Sequence, residues 1–148
     1  MNIGKAIRNG TVFSLLAMLA VVIAGCQSNE NKQAALKSFE LVAGEQKVTL
    51  PGFMSGSWQD GIHNGPVEVR IQKTDGGSNF EGTMAFVGGT LPGCPTHTKA
   101  TGMLQSDGTL VIRNGCNGGT VLKLEQTQGG WRGEAQWGGN SGSVRGLS

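Results

Sequence analysis

Cys94-Pro95-Thr96-His97 sets a thiol and an imidazole at the spacing of a metal half-site, and Cys116 offers a second thiol. Zinc takes both ligand types. Spacing fixes no fourth ligand, so no metal is expected. Asp60, His63, Asn64, His97, Asn114, Asn117 and Asn140 add polar groups in connecting segments. Either they ring a binding site, or the asparagines simply permit turns. Trp58, Trp131 and Trp137 either line a ligand pocket or serve as core. Nucleophilic motifs are missing: there is no G-x-S-x-G elbow and no H-E-x-x-H. Gly138-Gly139-Asn140-Ser141-Gly142 lacks the lysine and helix of a phosphate loop. The acids are scattered, and nothing marks two as a glycosidase pair. No enzyme is expected, and a hydrolase using His63 or His97 is the weakest of three readings.

One cysteine has a different setting. Lys5 and Arg8, with no acid nearby, precede an apolar run from Val12 to Ala24. The run falls short of the about 20 residues that span a bilayer, and a basic start plus an apolar stretch of this length reads as an export signal. Ile23-Ala24-Gly25-Cys26 closes it. This end resembles the bacterial lipobox. Small residues fit the narrow site of the protease, and the thiol accepts a diacylglyceryl group. The resemblance implies residues 1–25 as a signal peptide and Cys26 as the lipidated first residue, its covalent lipid (diacylglycerol plus an acyl chain such as palmitate) standing in for any cofactor. Two or more chains give stable anchoring where one does not. Gln27, where retained lipoproteins of enteric-type bacteria carry aspartate, implies the outer membrane, on its periplasmic or its surface face.

Removing residues 1–25 takes away Lys5, Arg8 and three glycines. It leaves 123 residues with ten basic side chains, ten acidic side chains and 23 glycines. Balanced charge gives no electrostatic case for nucleic acid, which is held by clustered Lys and Arg. Dense glycine disfavours long helices. It suits tight turns in a β protein. An oxidising compartment makes a Cys94–Cys116 disulfide the first expectation. Closing that 22-residue loop contributes about 3 kcal/mol in the chain-entropy model.

The elements that position these groups are strands. Residues 26–38 are polar and read as a tether, with a short helix through Ala34-Ala35-Leu36-Lys37; residues 39–148 read as one β domain. Val67, Val69 and Ile71 share one face, with Glu68, Arg70 and Gln72 opposite. Phe80, Met84 and Phe86 repeat that pattern, as do Trp131, Ala135 and Trp137. Such period-2 alternation predicts half-buried antiparallel strands. The expected fold is all-β: an up-and-down barrel or sandwich of about eight strands. Hairpin turns are expected at Asp75–Ser78, Ser106–Gly108 and Gln128–Gly130. Longer connections are expected at Gln59–Pro66, Gly88–His97 and Asn114–Gly119, with Gly138–Gly142 between the two classes. Alternation gathers the long connections, and with them Cys94 and Cys116, at one end. Gly56-Ser57-Trp58 resembles the G-x-W of lipocalins and the start of avidin-like barrels, and Asn79–Met84 resembles their next hairpin strand. That resemblance covers about residues 54–147. It implies a small barrel with Trp58 packed near one end, and it transfers no ligand.

Anchor, tether and the want of catalytic motifs suggest a binding role, with another envelope protein as partner: a pilot, an inhibitor or an assembly factor. The alternative is a carrier that holds a small ligand or lipid inside the barrel.

Overall fold

The computed structural model describes residue 29 and residues 32–86, 97–115 and 119–148. Cys26, Cys94, Cys116 and Asn117 lie outside the described residues.

Ten strands form. A two-stranded hairpin comes first, β1 (Ser38–Ala43) and β2 (Gln46–Pro51). Then follow β3 (Phe53–Gln59), β4 (Asn64–Thr74), β5 (Asn79–Phe86), β6 (Thr98–Leu104), β7 (Leu110–Asn114), β8 (Thr120–Thr127), β9 (Gly130–Trp137) and β10 (Asn140–Leu147). Strands β3 to β10 pair antiparallel in chain order, and β10 returns to β3. The choice between barrel and sandwich is therefore settled as a closed barrel, which leaves no exposed edge in its sheet. The seam is short. Ser143, Val144 and Arg145 face Gln59, Trp58 and Ser57. Beyond a bulge between Val144 and Leu147, Ser55 and Ser148 exchange N–H···O bonds of 3.0 and 3.2 Å.

Alternation puts one face of each strand inside. Met54, Trp58, Val67, Val69, Met84, Ile112, Leu122 and Ala135 are buried in one continuous core. Glycines make room for these side chains. Gly102 lies opposite Phe80, and a Cβ on Gly102 would overlap the Phe80 ring. The ring therefore fills the space that Gly102 leaves empty.

Hairpin β1–β2 stays outside the barrel wall and closes one end of it. Leu41 and Leu50 are fully buried and belong to the barrel's own core cluster. Val42 N–H donates to the Gly77 carbonyl in the β4–β5 turn at 3.0 Å. A Cβ on Gly44 would lie 3.9 Å from Ser106, and one on Gly108 would lie 3.5 Å from the Gln46 side chain. The hairpin thus sits over the β4–β5 and β6–β7 turns. Residues 32–36, in the segment read as tether, are helical. Lys37 accepts the Gly52 N–H at 2.6 Å, so that segment docks where the hairpin enters β3.

Two connections differ from the sequence reading. Gln59–Pro66, expected to be long, is a four-residue turn over 60–63, because Asn64, Gly65 and Pro66 extend β4. Among the described residues Pro66 pairs with Ser57 of β3, and the described part of the β4–β5 ladder starts at Val67 opposite Phe86. Gly138–Gly142 shrinks to Gly138-Gly139, both at positive φ (49° and 82°), between paired Trp137 and Asn140. This is the two-residue hairpin turn that needs positive φ at both central positions.

Candidate functional site

The end opposite the hairpin is the mouth. There β3, β5, β7 and β9 end. Trp58 is the last inward residue of β3, Phe86 ends β5, and Trp137 ends β9. The three rings meet edge to face. Trp58 lies 5.7 Å from Phe86 at 88° and 5.5 Å from Trp137 at 83°. Such T-shaped contacts suit the ring quadrupoles. Asn114 ends β7 and Thr120 begins β8, paired with each other and both buried. The innermost layer of the mouth therefore mixes three aromatic rings with two polar side chains. Trp58 is 1% exposed. Its indole N–H is buried and meets no acceptor among the described residues. An unmade bond of this kind costs about 1–3 kcal/mol.

Outside this layer stands the β3–β4 turn. Asp60 N–H donates to the His63 carbonyl at 3.0 Å. The Asp60 carboxylate accepts the His63 N–H at 2.7 Å and the Ile62 N–H at 3.0 Å, and its second oxygen lies 3.2 Å from His63 Nδ1. Those backbone bonds, from His63 first and then Ile62, hold the Asp60 carboxyl below its ordinary range. Gly61 supplies the positive φ of 93° that the tight path requires. At the tip, Ile62 is 86% exposed.

A second imidazole–carboxylate pair lies on the next connection. His97, itself at positive φ (59°), places Nε2 3.7 Å from Glu68 Oε2. Only the Asp60–His63 pair is within hydrogen-bond distance, a carboxylate steadying a histidine as acid–base catalysis would use. Among the described residues Asp60 is the only hydrogen-bond partner of the His63 ring. No group of three or more His, Cys, Asp or Glu side chains able to hold a metal occurs among the described residues.

The structure therefore brings together Trp58 with Trp137, and Asp60 with His63. Asn64 opens β4, exposed and opposite Gln59, and Asn140 opens β10 opposite Trp137. Trp131 does not join them. It is buried at the start of β9, opposite Leu147, at the hairpin end. Sequence reasoning took Phe86 as core and did not single out Thr120, Glu68 or Ile62. An aspartate three residues before a histidine, across a glycine, was the available sign of the locked turn that displays Ile62.

Set against known proteins, the chain matches no family model, no curated protein and no solved structure.

Proposed function

We propose that this chain is a bacterial envelope lipoprotein, held to the outer membrane by lipid on Cys26, whose barrel binds another envelope protein and catalyses no reaction. The observation that carries the binding surface is Ile62. A lone exposed apolar side chain is common. This one stands on a turn that the Asp60 carboxylate fixes from both oxygens. A preorganised apolar projection loses little entropy on docking, and apolar anchors of this kind fill pockets on a partner. The barrel interior is taken up by its own side chains, which favours the rim as the contact.

Native mass spectrometry of the lipidated protein, gently extracted from its envelope, tests this. A stoichiometric protein companion is expected, and Ile62→Asp should lose it while keeping the fold. A companion retained by Ile62→Asp would remove the rim from the reading.

A second reading, a small-ligand or lipid carrier, is favoured by the buried Trp58 N–H, which has no acceptor among the described residues. It requires a ligand acceptor to reach that donor. A small-mass adduct lost on denaturation, and lost in Trp58→Phe, would support it. Indole fluorescence that no envelope extract changes would count against it.

A further inference from the structure

We propose that a groove on the outer wall of the barrel, across β4 to β7, binds a small amphiphilic carboxylate, an anion with an aliphatic tail. The groove encloses about 450 Å³, and its outward-facing lining includes Lys73, Glu81, Thr101, Met103, Val111 and Arg113. That volume lies in the range of about 300–1,000 Å³ typical of small-molecule sites.

Register explains how the lining is arranged. Lys73, Glu81, Thr101 and Arg113 face one another in one row across four strands. Met103 and Val111 face each other in the next outward row toward the hairpin end. Val111 is 4% exposed although it points outward, and Met103 is 39% exposed. The groove thus has an apolar floor beside a polar row.

Charge in the row is uneven. Glu81 reaches Lys73 at 3.2 Å, one strand further from Arg113. Two strand spacings, about 10 Å, separate the Glu81 and Arg113 backbones. Asp75, the other acid of the groove, is spent on its own turn. Its oxygens accept N–H groups from Gly77 and Asn79 and the Asn79 side-chain amide. Arg113, an exposed side chain, has no ion pair or hydrogen bond among the described residues. Thr101, whose hydroxyl has no partner among the described residues, faces it across the strands. A guanidinium forks onto both oxygens of a carboxylate. The tail of such a ligand would lie on Val111 and Met103, where methionine adapts to irregular aliphatic shapes. The site lies outside the barrel and does not depend on either reading of the mouth.

The test uses the full lipidated chain in nanodiscs with ¹³C-methyl methionine, and octanoate as the probe. The Met103 methyl signal, assigned with Met103→Leu, should move and saturate, while those of buried Met54 and Met84 stay still. Affinity should fall at least about tenfold for neutral octanamide and again for Arg113→Gln, a change of about one ionic contact. Three results would each overturn the proposal. One is no saturable shift at about 10 mM octanoate, weaker than any useful affinity. Another is an equal response to octanamide. The third is an Arg113→Gln protein that binds octanoate as before. Displacement of octanoate by a leucine-ended tripeptide acid of higher affinity would overturn the lipid-like class in favour of a peptide C-terminus.

Discussion

The two ends of the barrel are built from different materials. At the hairpin end, Leu41 and Leu50 enter the core from outside the wall, and the buried polar residues Asn114 and Thr120 lie elsewhere. At the mouth, the innermost layer holds Asn114, Thr120 and an indole N–H with no acceptor among the described residues. One end is closed by aliphatic side chains, and the other mixes aromatic rings with buried polar groups. Proteins generally violate packing rules where they do work and compensate elsewhere. On the proposed reading, the hairpin end is the compensation and the mouth is the end to test for recognition.

The largest test of this contrast strikes the hairpin. Leu50→Ala should destabilise the domain by about 2–5 kcal/mol, the usual range for a filled site that cannot collapse. Urea unfolding reads this directly. Partner capture below the transition should be unchanged, and a loss of capture without loss of stability would merge the two ends into one functional unit. Next comes Gly102→Ala, which adds a methyl where the Phe80 ring lies. Overpacking of this kind costs about 1–3 kcal/mol. A shift in the urea midpoint at constant slope would show it, and an unchanged midpoint would mean that Phe80 has somewhere else to go.

At the mouth the expected effect on stability is small and the effect on binding is not. Ile62→Ala should change stability by less than about 0.5 kcal/mol, as surface changes do, and weaken partner capture by tenfold or more if Ile62 is an anchor of about 2 kcal/mol. Titration of the turn sharpens the point at the lowest energy. Hydrogen bonds from His63 and Ile62 hold the Asp60 carboxyl below its ordinary range. A group lowered in the folded state contributes order that is present above its unfolded value, about 3.9, and is lost as pH falls through its folded value. The Ile62 amide resonance should therefore keep its hydrogen-bonded position down through the ordinary carboxylate range and lose it only in stronger acid. Loss already at pH 5 would mean that Asp60 does not hold the turn.

Much of the fold was legible because strands announce themselves by alternation. Val67/Val69/Ile71 and Trp131/Ala135/Trp137 gave both the strands and their inner faces. Asp75-Gly76-Gly77-Ser78 gave a hairpin turn by its chemistry. Less was legible where meaning depends on what lies across space. Leu41 and Leu50 join the barrel's core from a separate hairpin, a destination that period-2 spacing does not give. Pro66 looked like a loop residue until the pairing with Ser57 placed it in β4. Trp131 and Trp137 share a strand face, yet six residues of rise put them at opposite ends of the barrel. The groove at Arg113 draws on four strands, so only the register assembles it.

The seam between β3 and β10 has a consequence in time. A chain emerges from the ribosome N-terminus first, so β1 and β2 can pair locally at once. The wall cannot become a cylinder until residues 143–148 exist to meet residues 55–59. Until then β3 is an open edge able to recruit strands from other molecules, and contacts so distant in sequence form slowly. The span between β3 and β10 therefore sets an interval during biogenesis in which the β3 edge stays open, until residues 143–148 arrive.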